Sequence, residues 1–599
     1  MYVKRHAVTR RGRRYVYLRL VQAYRDEAGK VRHRVLKTLG REDELKASGQ
    51  LDQLAASFSR LDPPMVGTRR QVGALLLVCH YLDRLGLAEI IDTAAPMRGR
   101  ALLTHGEVIA ALVANRLSAP SPLYDVAGWA SSAAVHELLG IPAALLNDDR
   151  LGRGLEALAG VAQDVRGALL LAALQRFPGV QATRLHLDLT TVRFAGAYED
   201  SSLVAKGWGA DRRVARQVRT LQAATPDGIP LYWRPHKGST AELTALGEAL
   251  EHLQALLPPG LVVVADSALG HLGNLCAIHR QGVGFVVPLR ADTGWAERFE
   301  TDVEGGLAEL DDLDHVSQRE QRLPPEERTR WRGLLREFPV VDPNPDPDGD
   351  ADGDATCELR VAYIWSSEEA ATVADARERA LAKAEQALAR VRNGLGGRYY
   401  KTRKQVDAKV ATTVGPRIAG LLLVRTGTRN GKPTLTWRRD QAAIDHAARL
   451  DGLYALATNL ADPDSRPLTA VDVLAVYKDQ WVVEQRHRDA KQTLRVRPVF
   501  LHNDDRIDAL VSVVGIALLV FGLIEADLRR RLPPDDPRLP GLLPEGRAAK
   551  PTGRNVLAAF HRLGATYTPG GLVLDRLTAS QRVILALLDI PLPWPERPH

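Results

Sequence analysis

The stretch Tyr477-Lys-Asp-Gln480-Trp-Val-Val-Glu484-Gln-Arg486-His-Arg488-Asp-Ala-Lys491 sets one central carboxylate among bases and a tyrosine. At about 100° per residue, an uninterrupted helix would gather Tyr477, Gln480, Glu484, Arg488 and Lys491 within a narrow arc of one face. Such a face suits a carboxylate that holds a metal beside a phosphate backbone. Two more acids stand at strand-like positions upstream, Asp188 in Arg184-Leu-His-Leu-Asp-Leu-Thr-Thr-Val-Arg193 and Asp266 in Leu261-Val-Val-Val-Ala-Asp-Ser-Ala-Leu-Gly270. Three separated acids and a basic partner face point to metal-dependent chemistry on DNA.

Further blocks surround these acids in a fixed order. Asp188-Leu-Thr-Thr is followed by Gly207 to Glu242, which contains Gln217, Asp227-Gly-Ile-Pro-Leu and Gly238-Ser-Thr-Ala-Glu242. Then come Val264-Ala-Asp266-Ser-Ala-Leu-Gly-His-Leu-Gly-Asn274, Asp451-Gly-Leu-Tyr-Ala-Leu-Ala-Thr-Asn459, the Glu484 stretch and Arg497-Pro-Val. In order and spacing the chain resembles the DDE transposases of bacterial insertion sequences, in particular the subgroup with a Tyr-x2-Arg-x3-Glu-x6-Lys signature. Tyr477, Glu484 and Lys491 match that signature, whereas Gln480 stands where the family has arginine. The likeness covers most of the chain.

The resemblance implies an α/β fold: a ribonuclease H-like catalytic core interrupted by a mixed α/β insertion domain, preceded by a basic β-hairpin and a helical module. It implies a cut-and-paste transposase that cuts at terminal inverted repeats and joins the 3′ ends to target DNA. The expected partners are double-stranded DNA, as transposon ends and target, and a second copy in a homodimeric paired-end complex. A DNA hairpin intermediate is compatible with it. Neither a nucleotide cofactor nor a membrane is expected.

Phosphodiester cleavage at neutral pH needs an activated water and relief of charge on the leaving oxygen, which two divalent cations about 3.5–4 Å apart supply. Hard cations are gathered by carboxylate oxygens, and Mg²⁺ takes one or two per ion while keeping waters. Asp188, Asp266 and Glu484 are thus the expected catalytic residues and ligands of two Mg²⁺ ions, with Mn²⁺ able to substitute. Taken singly, each acid reads more simply as a surface charge or a helix cap. The resemblance assigns DNA contacts near the scissile phosphate to Tyr477 and Lys491. Gln480, in the same signature, cannot supply the charge or the bidentate fork of arginine, and Arg488 on the same arc or Arg486 beside it is the candidate to replace it. The bland alternative for all five is an amphipathic helix with a solvated rim.

Composition fits an ordinary protein of several domains: 599 residues, 45% hydrophobic and 25% charged. The net charge of +8 is modest, but residues 1–41 hold 13 Lys or Arg against only Asp26 and Glu27, so the remainder is slightly acidic. Interleaved with Tyr2, Tyr15, Tyr17 and Tyr24, this block is an expected phosphate-binding footprint, with a solvated basic hairpin as the alternative. Three distant cysteines, Cys79, Cys276 and Cys357, offer neither a disulfide framework nor a CxxC zinc motif. The expected compartment is a reducing bacterial cytoplasm, beside the nucleoid. The opening Met1-Tyr-Val-Lys-Arg-His6 runs into arginines rather than an apolar core, so no secretory signal is expected. The apolar run Ala509 to Ile524 is shorter than the roughly 20 residues of a membrane span and reads as a buried helix against a sheet, with a membrane span as the remote alternative.

The expected divisions are residues 1–45, a basic hairpin arm with strands over 14–39 turning at Asp26-Glu-Ala-Gly29-Lys; 46–180, a helical candidate module for binding DNA ends, broken at Pro120, Pro122 and Pro142; and 181–292, the first part of the core, with a helix near Glu242 to Leu256. Residues 293–450 form the insertion, 451–530 the second part of the core with the glutamate helix, and 531–599 a C-terminal tail with a short helix around Thr578 to Leu588. Within the insertion the pattern predicts a helix from Ser366 to Arg392 and a hairpin of Leu421–Arg425 with Thr434–Trp437 turning at Asn430-Gly431. The acidic linker from Asp342 to Asp354 lacks the full ligand pattern of a calcium loop. Trp295, Trp331 and Trp365 read first as core aromatics, although the resemblance allows one of them to hold an extruded base.

His186 and His236 flank core motifs without a partner nucleophile, so a serine or cysteine hydrolase is not indicated. Asn430-Gly-Lys-Pro lacks the elements of a phosphate-binding loop, so neither is ATP hydrolysis. Two alternatives to a transposase stand: a metal nuclease or phosphohydrolase using Asp188 and Asp266 without strand joining, and a DNA-binding protein, such as a repressor, that occupies element ends without cutting.

Overall fold

Alternating basic and apolar residues along the first forty positions dictate strands, and the computed structural model has three of them. It describes residues 2–598 except 11–12, 26–30, 49, 51–65, 98–101, 209–212, 318–319, 322, 344–355, 416–417, 464–465, 495–500 and 502. The expected turn at Asp26 to Lys30, most of the acidic linker and Arg497-Pro-Val lie outside the described residues. The chain divides into two units, Met1–Ala182 with Asp188–Leu256 and Val482–His599, and Thr183–Leu187 with Leu257–Trp481.

In the first unit, Tyr2–Arg10, Arg13–Arg25 and Val31–Arg41 form an antiparallel sheet. The sequence pattern predicts only the last two; Tyr2–Arg10 is too charged to register as a strand without its full-length pairing with Arg13–Arg25. Leu18, Val21 and, from the following helix Glu42–Ala47, Leu45 make a small core. Arg5 Nε donates to Glu42 Oε2 at 2.9 Å, tying that helix to the first strand.

Among the described residues seven α-helices, Leu75–Leu85 to Ala162–Arg176, follow the short strand Arg69–Gln71. A capping box between Thr104 and Glu107 opens His105–Ser118, and Asn147 caps Asp148–Gly160. Their centre is Asp504–Arg530, a helix long and apolar enough to cross a membrane whose side chains are instead buried inside the protein. It packs on Leu75–Leu85, His105–Ser118, Asp148–Gly160 and the strand Pro230–Lys237. At Gly515 a Cβ would lie 2.3 Å from the Trp233 ring, so the absence of a side chain is what lets helix and strand meet. Val214–Ala224 pairs antiparallel with Ala205–Trp208 through Val214–Gln217 and with Pro230–Lys237 through Val218–Ala224. In the C-terminal stretch, Gly564–Thr568 pairs with Gly571–Leu574 and with Arg69–Gln71, and Ala579–Leu587 is the expected short helix.

The second unit is built on a mixed sheet in the order Asp311–Leu313, Trp331–Val341, Thr356–Ser366, Leu453–Thr458, Gly284–Pro288, Val262–Val264 and the opening residues of Arg184–Arg193. The last three strands are parallel to one another, and the rest antiparallel. Val264, Val286, Ala362, Ile364 and Leu456 form its buried face beneath Val473 and Leu474 of the helix Ala470–Lys478. Trp331–Val341 and Thr356–Ser366, read from the sequence as part of a separate insertion, extend this sheet. A distinct α/β cluster follows: Ser367–Asn393, capped by Ser366, and the hairpin Leu422–Arg429 with Lys432–Arg439 share two small cores. Asn430 and Gly431 both have positive φ, at 52° and 77°, as the expected tight turn requires. Trp331 is a core residue, and the Trp365 indole N–H donates to Asp451 O at 2.9 Å.

Candidate active site

Asp188 lies midway along Arg184–Arg193, after the buried run Leu185, His186 and Leu187. Its Oδ1 accepts the Leu189 N–H at 2.8 Å, and His487 Nε2 stands 3.2 Å from its Oδ2. Burial pushes the Asp188 pKa up, but the His487 imidazole, the Leu189 N–H and the Lys491 ammonium together outweigh it, so the group sits below the usual carboxylate range. Two residues on, Thr190 Oγ1 accepts from Lys491 Nζ at 2.5 Å. A negative, half-buried carboxylate with a lysine two residues along the strand is an arrangement able to hold a cation and steer an anionic substrate.

Glu484 is exposed on the helix Trp481–Arg488, whose inner face is formed by Val482, Val483, Arg486 and His487. Trp481, Glu484 and Arg488 are its exposed stripe. The uninterrupted helix expected from Tyr477 to Lys491 is not what forms. Ala470–Lys478 ends with Asp479 as C-cap, Trp481–Arg488 begins anew, and Asp489–Thr493 is a π-helical turn. The shared arc is therefore broken twice. The π-turn, a form frequent at functional sites, changes the phase of Lys491, and Lys491 reaches Thr190.

Arg486, a candidate for phosphate contact by its place in the sequence, is instead 2% exposed. Its guanidinium is engaged with Asp489 (3.0 Å), Glu525 (3.0 Å) and the Gly228 carbonyl, to which Nε donates at 2.5 Å. Arg529 also meets Glu525 at 2.6 Å, and Glu525 Oε2 accepts from Gly553 N at 2.8 Å. Burial raises the Glu525 pKa, but Arg486 and Arg529 outweigh it and hold the carboxylate below its ordinary value; at Asp489 burial prevails over Arg486, and the pKa is raised. Gly228, in the Asp227-Gly-Ile-Pro-Leu block, has φ of +81°, and a Cβ there would lie 2.7 Å from Arg486 Nη2. The block accommodates this arginine.

In the second unit, Val262, Val263 and Val264 pair in parallel with Arg184, Leu185 and His186, partners 78 residues apart in sequence; Asp188 and Asp266 are separated by the same 78. Asp266 is exposed just past its strand, where its Oδ1 accepts the Ala268 N–H at 3.0 Å. Gln480 does not replace the charge of an arginine. Its Nε2 donates to Leu187 O at 3.0 Å, and its Oε1 lies 3.3 Å from His186 Nδ1. Burial, and then Arg184, push the His186 pKa down to about 4, so it is neutral near pH 7. Tyr477 is half-buried against the sheet core, its ring 6.4 Å from that of Tyr454.

His487 and Glu525 were not singled out from the sequence. His487 had a usable signal, three residues after Glu484 and so on a neighbouring helical position. Glu525 had none, because it sits in an apolar run whose partners come from a distant segment.

The chain matches three family models: the N-terminal domain of IS1634 family transposases over residues 3–64, a domain of unknown function over 68–165, and the transposase DDE domain over 181–520. No curated protein matches. Among solved structures, the cryo-EM structure of the piggyBac transposase synaptic complex with hairpin DNA is similar at 6% identity and a TM-score of 0.34, covering 83% of this chain and 82% of that one. The DDE-domain match alone takes in more than half of the sequence, and the chain belongs to the DDE transposases, DNA-cleaving and strand-transferring enzymes of insertion sequences that depend on divalent metal.

Proposed function

We propose that Asp188, Asp266 and Glu484 together are the catalytic carboxylates of a cut-and-paste transposase with a ribonuclease H-like core, acting at the terminal inverted repeats of its element. The observation that carries this reading is the shared offset: the register that pairs Arg184–His186 with Val262–Val264 is the one that separates Asp188 from Asp266. Three carboxylates are a hard-oxygen donor set suited to Mg²⁺ or Mn²⁺. When bound, a pair of such ions supplies an activated water and neutralises charge on the leaving 3′ oxygen. Asp188, kept ionised by its neighbours, is ready to accept a cation without first losing a proton. Lys491, fixed near Asp188 through Thr190, provides a positive charge for the phosphate backbone, and exposed Arg488 a second. A homodimer on paired ends is the assembly in which both ends of one element are processed together.

The test is cleavage of labelled DNA carrying the element's own ends, with Mg²⁺ or Mn²⁺, comparing wild type with Glu484→Gln. Cutting at the end boundary that disappears in the variant supports the assignment, and joining of the freed 3′ hydroxyl to a target plasmid completes it. Cutting that survives Glu484→Gln, Asp188→Asn and Asp266→Asn alike overturns it.

A further inference from the structure

The second unit holds a cluster of a different character. Cys276 on the helix Leu272–Arg280, Asp342 just after the strand Trp331–Val341, and Cys357 on the strand Thr356–Ser366 are all buried, and one ligand atom from each lies within 4.8 Å of the others. Both cysteines are free thiols. The three residues come from separate segments, so their meeting is set by tertiary packing. Val341 pairs with Thr356 and Val340 with Cys357, which places Asp342 and Cys357 at the mouth of the same hairpin. Arg280, one helical turn beyond Cys276, approaches Asp342 Oδ2 at 3.2 Å.

We propose that Cys276, Asp342 and Cys357 form a structural site for a thiophilic divalent cation, Zn²⁺ being the best fit. Two thiolates and a carboxylate are a donor set that a borderline-soft ion takes and Mg²⁺ does not. Three protein donors leave a fourth position for a water. Charge is balanced: two thiolates and Asp342 carry −3, and the cation with Arg280 carries +3. Thiol protons are released as the cation binds. Arg280, partly exposed, interacts with the carboxylate in the way that outer partners orient metal ligands. The ion would fasten the helix that follows Asp266 to the mouth of a hairpin, a role separate from the hydrolytic ions.

Cobalt(II) added alone to the reduced, metal-free full-length protein tests this, because cobalt bound to thiolate gives a near-ultraviolet charge-transfer band that carboxylate sites do not. One equivalent is expected to bind with that band in wild type, in Cys79→Ser and in Glu484→Gln, to be displaced by Zn²⁺, and to be lost in Cys276→Ser and Cys357→Ser. Asp342→Asn keeps both thiols and is expected to bind at least ~10-fold more weakly. If a serine variant does not fold, wild type and Asp342→Asn still decide. Absence of the band in wild type at saturating cobalt overturns the proposal. So does a band that persists in Cys276→Ser or disappears in Cys79→Ser, or a Cys276–Cys357 disulfide found in the protein as isolated under reducing conditions.

Discussion

The His487 imidazole approaches the Asp188 carboxylate to 3.2 Å, joining the helix of one candidate catalytic acid to the strand of another. Among the described residues neither ring nitrogen has a hydrogen-bond partner, so the charge-pair approach to Asp188 is the polar contact that the structure gives this buried ring. Replacing His487 with alanine is expected to raise the divalent-ion concentration needed for end cleavage by about 10–100-fold, the usual cost of losing a partner of a metal ligand. A Mg²⁺ titration of the cleavage rate checks this. An unchanged half-saturation point would mean that the contact serves packing only.

Glu525 is 4% exposed and holds two arginines and a backbone N–H. Glu525→Gln leaves Arg486 and Arg529 short of a buried counter-charge, and a loss of about 3–5 kcal/mol is expected. Urea unfolding of the full chain, followed by tryptophan fluorescence, measures it. Because Arg486 is on the helix of Glu484, the same variant is expected to lose cleavage activity at urea concentrations where wild type is still active.

An arginine at position 480 would restore the family signature, yet here it is expected to do harm. Gln480 uses both ends of its amide, on His186 and on the Leu187 carbonyl. Gln480→Arg would bring a guanidinium against a histidine that burial already holds neutral. We expect cleavage to fall by at least ~10-fold, the factor that about 1.4 kcal/mol costs. Tighter end binding with a steeper salt dependence would instead show that position 480 reaches the phosphate backbone.

Gly515→Ala places a methyl group where the Trp233 ring already is. Overpacking of this kind costs about 1–3 kcal/mol, and the melting temperature is expected to drop without any change in the metal dependence of residual activity. Combining it with Trp233→Leu, which vacates the space, tests the cause: part of the loss should be regained.

Burial, then Arg234, Arg166 and Arg219, push the His236 pKa down to about 4, and Glu248 nearby is already paired with Arg234 at 3.0 Å. The unfolded chain takes up this proton near pH 6.5 and the folded chain only near 4. The native state is therefore favoured above pH 6.5 and loses up to about 3 kcal/mol as pH falls through that window. In His236→Gln the decline in unfolding free energy between pH 6.5 and 4 is expected to be shallower than in wild type; equal slopes would assign the proton uptake to other groups.

What the sequence makes legible follows from how local its causes are. The helix Glu242–Leu256, the helix after Ser366 and the turn at Asn430-Gly431 are written in nearby residues, and they form where periodicity and turn chemistry put them. Asp188 and Asp266 are conspicuous because an acid at the end of an apolar strand run is unusual. What escapes is whatever depends on distant partners. Tyr2–Arg10 becomes a strand through Arg13–Arg25, and Trp331–Val341 joins the sheet through Thr356–Ser366. Helical phase at Arg486 could not reveal that Asp489 and Glu525 would claim it, and the break at Asp479 leaves no mark in hydrophobic spacing.

The α/β cluster that begins at Ser367 leaves and rejoins its sheet on a single rung. Trp365 pairs with Leu453, and the Ser366 N–H donates to Gly452 O at 3.0 Å. A chain that exits and returns at adjacent positions can be closed there by a hairpin loop of about 2–5 residues. Exchange, enlargement or deletion of this part of the chain is therefore expected to leave the register of Trp365 with Leu453 unchanged, which makes it a natural cassette for evolution and engineer alike.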